Sequence, residues 1–532
     1  MSAEAGLRIR RSLTDLQDDY KNGIKAPLEN LMRAWKGIKE LPPDDPRSFF
    51  VIGGYHGEPF RGAGWGSSAY WGGYCNHGNV LFPVWHRVYV NVLEEALRSI
   101  PGCSDVTMPF WDECSEHSRK NGIPWALTDE TFELDGVPIA NPLRSYKFQR
   151  NIVDNLSTDD PNNPGDTSYS KPEGYETVRY PYSGLVGSAA DKAKTIEHNK
   201  QFPYPKALDL LNKNIIAWLT HGIVIDGKPI PTNVHKAFVD CLDAPNYTLF
   251  SNTTSAQEWN ANATKQVVPL EQPHNDIHLA VGGWDIPGNP DFSPIPYANG
   301  DMGENDTAGL DPIFFFHHCW IDRVFWLWQQ RHQQTDRLDV MPEYPGTNSV
   351  DSQGPTPGVA PNSWLTMDSP LAPFMLEEDG AHRPYTGRDA VDIEGHLGYT
   401  YGPGSLMTED DTPPAQATAD TAGERHVHVS GIDRGRIRGS FVIAAYAEVD
   451  GERKLIGVKS VLSRWHVEGC ANCQTHLRAH AAFPLHGLDL DEIGEDAIQV
   501  EVRTHDGLLG GGPQALRPLD GDARPRFRVE LR

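Results

Sequence analysis

Two groups of histidines are the residues of this chain whose types and spacing could do chemistry together. They lie far apart in the sequence and comprise His56, His77 and His86, then His274, His278, His317 and His318. His274 and His278 are four residues apart, so on a helix both rings would project from one face. His317 and His318 begin an apolar segment that predicts a buried helix. Because a polar ring in an apolar interior costs free energy without a partner, the groups indicate a pair of metal sites.

The ligand types narrow the choice of metal. Imidazole ligation without thiolate or carboxylate suits copper, zinc or nickel. Di-iron and di-manganese bundles use glutamates with Glu-x-x-His motifs, and the sequence contains no such pair of motifs. A binuclear zinc hydrolase is the alternative from a different class, although such sites normally add aspartate or glutamate ligands to activate water. Two facing three-nitrogen sites favour two copper ions with O2 between them.

The composition of the whole chain narrows its partners. The 532 residues carry a formal net charge of −25, which argues against nucleic acid or an anionic membrane as a partner. No apolar run approaches the ~20 residues of a membrane span. The first residues lack the apolar segment of a secretory signal, so we expect a cytoplasmic protein. The seven cysteines, an odd and sparse set, do not predict a disulfide framework.

Periodic apolar residues predict the helices that must position the histidines. The predicted helices are 12–40, 83–100, 204–220, 272–282 and 311–334. His86 lies in the first turns of the second helix, and His274 and His278 lie on the fourth. The connecting segments are rich in Gly, Pro, Asn and Asp, which predicts long loops. The sequence therefore predicts a mainly helical core.

The residue pattern changes after residue 401. Residues 402–425 are rich in Pro, Gly, Ala and Thr and predict a linker. Beyond it, alternating apolar residues predict strands. These strands are 439–446, 454–458 and 497–502. We therefore predict a core over 1–401 and an all-β, sandwich-like domain over 426–532, called the C-terminal domain below.

The segments around the histidines resemble those of the type-3 copper proteins, which comprise tyrosinases, catechol oxidases and hemocyanins. The matching segments are Gly53–Pro59, Tyr74–His77, Leu81–Arg87, Glu271–His278 and Asp311–Arg323. Over about residues 1–401 the chain resembles a fungal-type tyrosinase or polyphenol oxidase with a C-terminal lid domain. The resemblance implies a four-helix bundle with long loops around two copper ions, with O2 as co-substrate and small phenols as substrates.

The resemblance also implies which residues bind the metal. The implied ligands are His56, His77 and His86 for copper A, and His274, His278 and His318 for copper B. His318 is preferred to His317 because the family's aspartate, here Asp322, follows His318 by one helical turn on the same face. Phe314, one turn before His318, would lie over the copper pair as an aromatic wall.

Cys75 precedes His77 by two residues, and two interpretations of it stay open. In fungal and plant members with this spacing, the cysteine forms a thioether bond to the histidine and stiffens the ring that holds copper A. Alternatively, Cys75 is a small buried apolar residue.

Glu271 and Asn275 lie on either side of the first implied copper-B ligand, His274. In the family, a glutamate and an asparagine at such positions are proposed to hold a water that deprotonates the phenol. Their presence implies a tyrosinase, which hydroxylates monophenols and oxidises o-diphenols to o-quinones. The alternatives are a catechol oxidase, which performs only the second step, and a hemocyanin-like oxygen carrier. Glu271 could also be simply an acidic residue in the first turn of a helix.

The C-terminal domain contains the C-x-x-C motif Cys470-Ala471-Asn472-Cys473. Thiolates suit Cu(I), and fungal tyrosinase precursors carry such a motif, so the resemblance implies copper loading. A structural or disulfide role is an equal alternative. In relatives the domain covers the active site until proteolysis or acid displaces it, which implies a latent enzyme. Relatives that form dimers or tetramers imply a homo-oligomer.

Overall fold

A computed structural model describes most of the chain. The described residues are 6–57, 74–152, 170–225, 228–231, 233–263, 265–286, 300–349, 358–378, 380–407, 425–449, 451–467, 473, 476–485, 497–509 and 527–531. Helices dominate before residue 332, and strands dominate after residue 425. This order confirms a mainly helical core followed by a C-terminal region of β-strands. Cys470 and most of the predicted linker lie outside the described residues.

Each segment of the core that was predicted to be helical contains at least one helix. They are α1 (Leu13–Lys21), α2 (Ala26–Glu40), α3 (Phe49–Gly53), α4 (Phe82–Arg98), α5 (Glu116–Asn121), α6 (Ala189–Asn199), α7 (Tyr204–Thr220), α8 (Val234–Cys241), α9 (Tyr247–Ser251), α10 (Thr253–Asn260), α11 (Glu271–Gly282) and α12 (Ile313–Arg331). Helix α4 packs on α2 and α12, and α11 packs on α7 and α8. This packing brings the histidine-bearing helices α4, α11 and α12 to the centre of the core.

The prediction of a single helix over 12–40 is wrong, because two helices occupy that segment. Helix α1 ends at Lys21, and Gly23 has a φ of +92°, a left-handed conformation that an α-helix does not contain. Helix α2 begins at Ala26 with Pro27 in its first turn, where a missing N–H leaves no helical bond unmade. The apolar spacing continues through the break because both helices pack on the same core cluster.

The described strands divide between short pairs in the core, β1 to β8, and the sheets of the C-terminal domain, β9 to β15. They are β1 (Arg8–Arg10), β2 (Thr131–Leu134), β3 (Val137–Ala140), β4 (Gly222–Ile225), β5 (Lys228–Pro231), β6 (Pro370–Glu378), β7 (Ala381–Thr386), β8 (Tyr399–Tyr401), β9 (His426–Asp433), β10 (Phe441–Val449), β11 (Glu452–Val461), β12 (Arg478–Pro484), β13 (Ile498–Thr504), β14 (Gly507–Leu509) and β15 (Arg528–Leu531). In the core, β1 pairs in parallel with β8, which joins the two ends of the predicted core.

Two sheets form the C-terminal domain. One has the strand order β11-β10-β13-β14 and the other β12-β9-β15. Both sheets contribute to one apolar cluster that includes Val429, Ile443, Phe483 and Val500. Alternate residues point into this cluster, as expected for sheets packed face to face. The arrangement confirms the sandwich-like fold.

The C-terminal domain packs on the core beside α11. The backbone N–H of Ser460 donates to Oδ1 of Asp276 on α11 at 3.1 Å. The backbone N–H of Trp465 donates to Oδ2 of Asp306 at 2.9 Å. Both aspartates are buried, so these bonds lie inside the contact rather than at its edge. Among the described residues, no helix has the length and apolar character that crossing a membrane requires.

Candidate metal centre

The first histidine group lies between α4 and two loops. Its ring centroids are separated by 5.2 Å (His56 to His77), 5.7 Å (His56 to His86) and 5.0 Å (His77 to His86). Nδ1 of His86 lies 2.9 Å from the carbonyl oxygen of Phe82, one turn earlier on α4. Nδ1 of His56 lies 3.1 Å from the carbonyl oxygen of Asn305. A carbonyl oxygen only accepts hydrogen bonds, so both Nδ1 atoms carry the proton and Nε2 keeps its lone pair.

The second group is built in the same way on α11 and α12. Nδ1 of His278 lies 2.9 Å from the carbonyl oxygen of Met302, and Nδ1 of His274 lies 2.9 Å from Oδ1 of Asn275. The Nε2 atoms of His274 and His278 lie 3.2 and 3.3 Å from Nε2 of His318. Three ring nitrogens therefore converge on one point, and the anchored rings present lone pairs to it.

These nitrogens fit a pair of bound cations. Lone pairs at such short separations repel one another unless a cation or a proton lies between them. Burial disfavours the proton, because it lowers the pKa of His86 to about 3 and that of His278 to about 4. Nε2 of His56 and Nε2 of His86 are buried without a hydrogen-bond partner among the described residues. Neutral imidazoles with exposed lone pairs and anchored Nδ1–H groups are the form that binds a metal.

The two groups face each other across a short distance. The rings of His86 and His318 stack with centroids 4.4 Å apart, and those of His77 and His274 lie 5.6 Å apart. Within the described residues, the clusters with metal-ligand spacing contain histidine and neither aspartate nor glutamate. This all-nitrogen donor set suits copper better than the carboxylate-containing sites of zinc hydrolases.

The adjacent histidines of α12 point to different partners. His318 directs Nε2 at the other two rings of its group, whereas Nδ1 of His317 lies 2.6 Å from Oε1 of Glu113. Four histidines nevertheless lie close enough to hold one ion, because His317 belongs to the same cluster. The choice of His318 as the ligand stays a prediction, which this orientation supports.

Phe314 lies against both histidine groups. Its ring centroid is 4.0 Å from that of His318, 4.7 Å from that of His56 and 5.6 Å from that of His278. The side chain is fully buried. An aromatic ring in this position limits the space above the metals and can pack against another aromatic ring.

Glu271 is held by three donors from two other segments. Oε1 accepts from the backbone N–H of Gly78 at 2.7 Å, and Oε2 accepts from the N–H and hydroxyl of Thr253 at 2.8 and 2.9 Å. Burial raises the pKa of this carboxyl, and the bonds oppose that shift. Glu271 therefore joins α11 to the residue that follows His77. The sequence did not predict this contact, because Gly78 and Thr253 carry no pattern that points to it.

Cys75 lies under the C-terminal domain. It is a buried free thiol. Its Sγ is 3.5 Å from a guanidinium nitrogen of Arg464 and 3.8 Å from Nδ2 of Asn305, whose carbonyl anchors His56. The thioether to His77 stays a prediction.

The C-x-x-C motif is described only at Cys473. This cysteine is buried and disulfide-bonded. A disulfide has no thiolate to offer to Cu(I), so the observation favours the structural alternative over copper loading. Copper loading by Cys470 and Cys473 stays a prediction.

Asp322 collects the polar groups behind the centre. One oxygen accepts from Nε of Arg87 at 2.5 Å, and the other accepts from the hydroxyls of Tyr399 and Tyr401 at 2.5 and 2.6 Å. Arg10 of β1 reaches the same carboxylate at 3.3 Å. The network ties α4, α12, β1 and β8 together. The sequence indicated Asp322 only through the family's motif. It did not predict the contact of Asp322 with Arg10.

Comparisons with known proteins agree with this geometry. Residues 46–331 match the family described as the common central domain of tyrosinase. The chain is 52% identical to the tyrosinase HcTyr2 of Hahella sp. (strain CCB-MM4) over 531 residues, covering 95% of this chain and 94% of that protein. It is 45% identical to a tyrosinase of Aspergillus oryzae over 527 residues, covering 93% and 92%. The structure of a Burkholderia thailandensis tyrosinase at low pH superposes with a TM-score of 0.80 at 49% identity, covering 98% of this chain and all of that one.

Proposed function

Because this chain belongs to the tyrosinase family of copper oxidoreductases, we propose that it hydroxylates monophenols at the ortho position and oxidises the o-diphenols to o-quinones, with O2 as co-substrate. One observation carries the proposal. Two buried groups of histidines face each other, and the anchored rings direct bare Nε2 atoms into the space they share. The ligands of the first copper are His56, His77 and His86, and those of the second are His274, His278 and His318.

The residues of the chain hold the site in shape before any substrate arrives. When bound, the copper pair supplies the redox chemistry with O2. The carbonyl oxygens of Phe82, Asn305 and Met302 fix the tautomer and direction of three ligand rings. Rings that are fixed in this way lose little freedom when the metal binds, which favours binding and geometric precision.

Phe314 positions the phenol in this proposal. A phenol ring that enters above the metals meets the Phe314 ring and can pack against it edge-to-face or offset. Such contacts orient the ring so that its ortho carbon and its hydroxyl both face the centre. Positioning of this kind lowers the barrier by holding reacting groups in place.

The proton of a monophenol must leave before its oxygen can bind a metal. We assign this step to Glu271 with Asn275, either directly or through a water held between them. Glu271 is buried and accepts from the residue that follows His77, and Asn275 accepts from the ring of His274, so each of the two contacts a different histidine group or its neighbour. The Glu271 carboxylate is the proton acceptor that we place at this side of the site, and the Asn275 amide can orient the water that carries the proton.

A catechol oxidase without hydroxylation is the second candidate. One observation favours this function: both Glu271 oxygens and the side-chain oxygen of Asn275 already accept hydrogen bonds from the protein. Oxygens that are occupied in this way are less available to a phenol proton or to a water. Turnover of tyramine and of catechol by the copper-loaded chain separates the two functions. Quinone formation from tyramine supports the tyrosinase, whereas quinone from catechol alone supports the catechol oxidase. Turnover of neither, with reversible O2 binding, would support an oxygen carrier.

We further propose that the C-terminal domain keeps the enzyme latent. The domain reaches the surroundings of the first copper site through Arg464, which contacts Cys75, and through His476, whose ring lies against Gly78. A substrate would have to pass these side chains. Cleavage in the predicted linker, 402–425, should raise activity on tyramine, and equal activity before and after cleavage would count against latency. A cytoplasmic location and self-association stay predictions from the sequence.

A further inference from the structure

His317 and Glu113 form a buried pair that the proposed mechanism leaves without a role. Their side chains are completely buried, and Nδ1 of His317 lies 2.6 Å from Oε1 of Glu113. The segment that carries Glu113 runs beside α12, because the backbone N–H of Trp111 donates to the carbonyl oxygen of Phe316 at 3.1 Å. The pair is therefore fixed to the helix that carries His318.

The ring of His317 lies against two predicted ligands of copper B. It stacks on His274 with centroids 5.2 Å apart and an interplanar angle of 24°. It meets His278 edge-on, with centroids 5.0 Å apart and an angle of 86°. The hydrogen bond to Glu113 restrains the rotation of the His317 ring, so the ring packs in a fixed orientation against both ligands.

We propose that Glu113 and His317 are positioning residues for copper B, which hold His274 and His278 in the orientation that binds the metal. Neither residue touches the substrate in this role. The proposal deepens the proposed function and rests on it, since it needs copper at this centre. It explains why two histidines are adjacent on α12, since His318 binds the metal and His317 supports the other two ligands. Outer partners of ligand histidines typically change metal affinity by about 10- to 100-fold when they are removed.

Three substitutions test the pair. Glu113→Leu keeps most of the volume and removes the hydrogen bond, Glu113→Gln keeps the volume and an acceptor for the ring N–H, and His317→Phe keeps a stacked ring without nitrogens. Glu116→Leu is the matched control, because Glu116 is exposed and pairs only with Lys120 in the described structure. Copper per chain is measured after dialysis of the loaded full-length protein against a graded series of chelator concentrations. Electron paramagnetic resonance then reports isolated Cu(II), because a complete coupled cupric pair gives no signal.

We expect Glu113→Leu and His317→Phe to lose one of the two coppers at a chelator concentration about 10- to 100-fold lower than the wild type requires. The half-loaded protein should show the signal of an isolated Cu(II). Glu113→Gln should restore most of the affinity, and Glu116→Leu should match the wild type. Rescue by glutamine is the result that a general loss of packing would not produce.

Wild-type copper retention in Glu113→Leu, with a circular dichroism spectrum and melting temperature like those of the wild type, would overturn the positioning role. If Glu113→Leu does not fold, His317→Phe decides, and wild-type retention in that variant overturns the role equally. Simultaneous loss of both coppers in the folded variants would also contradict it. If the wild-type chain binds no coupled copper pair, the proposed function itself is contradicted.

Discussion

At the scale of single residues, the centre depends on which nitrogen of each ring faces inward. Backbone carbonyls fix this choice for His56, His86 and His278, because a carbonyl can only accept a hydrogen bond. For His274 the side-chain oxygen of Asn275 accepts the hydrogen bond from Nδ1 and so fixes the same choice. The ligand rings are thus oriented by neighbours that the histidine spacing does not reveal.

Glu271→Gln tests the proton acceptor at this scale. We expect turnover of tyramine to fall by about 100-fold or more, because the amide cannot take up the phenol proton. Turnover of catechol should fall much less, since the deprotonation of a monophenol is not part of that reaction. Steady-state rates on the two substrates make the comparison. Equal losses would mean that Glu271 acts only by holding the turn at Gly78.

The thioether at Cys75 is also a prediction at this scale. A proteolytic digest of the copper-exposed protein should contain a peptide in which Cys75 and His77 are joined, two hydrogens lighter than the unmodified peptide. Mass spectrometry detects it, and Cys75→Ser should abolish the species. An unmodified, alkylatable Cys75 in active enzyme would show that the free thiol is the mature form.

At the scale of elements, α2 contains a lysine whose surroundings make stability depend on pH. Nζ of Lys39 donates to the carbonyl oxygen of Ser145 at 2.6 Å and lies 5.5 Å from the ring centre of Phe49. Burial lowers the pKa of Lys39 to about 7, from 10.5 in an ordinary setting. The folded state thus holds this proton less tightly than the unfolded state does.

The sign of the effect follows from that difference. Because the unfolded chain binds more protons between about pH 7 and pH 10, the free energy of unfolding should rise with pH over that interval as far as Lys39 contributes. Lys39→Met should flatten this part of the profile. Urea unfolding at a series of pH values measures it, with Lys36→Met on the exposed face of α2 as the control. An unchanged slope in Lys39→Met would refute the prediction.

At the scale of the whole molecule, the C-terminal domain touches the core at the helix that carries two of the predicted ligands. Asp276 lies between His274 and His278 on α11 and accepts from Ser460 of the C-terminal domain. Arg464 of the same domain is buried between Asp306 and Cys75. The same face of the C-terminal domain therefore holds the domain on the core and, in the proposed latent form, blocks the substrate.

Arg464→Ala should loosen this contact. Removing one partner of a buried charged pair typically costs about 3 kcal/mol or more, so the intact chain should turn over tyramine faster than the wild type. Arg438→Ala is the control, since Arg438 pairs with Asp506 within the C-terminal domain. Initial rates of tyramine oxidation by the two uncleaved variants and the uncleaved wild type give the comparison. Unchanged latency in Arg464→Ala, with full copper content, would place the block elsewhere.

Much of this architecture could be predicted from the sequence. Apolar periodicity located α4, α11 and α12, and alternation located the strands of the C-terminal domain, because burial on one face leaves a repeating pattern. The same periodicity failed at residues 22–25, where a left-handed glycine divides one apolar stripe into two helices. The motifs around the histidines indicated the family, and the comparisons confirmed it.

The sequence by itself determined that the donors of the two groups are imidazole nitrogens, which favours copper, zinc or nickel, because ligand chemistry is a property of residue type and local spacing. Only the tertiary structure decided how the rings are held. Glu113 and His317 are 204 residues apart in the chain, and Glu271 and Gly78 are 193 apart, yet each pair shares a hydrogen bond. Contacts at such separations arise from the packing of whole helices and loops, which no local pattern records. The two histidine groups were visible in the sequence, and the side chains that aim them were not.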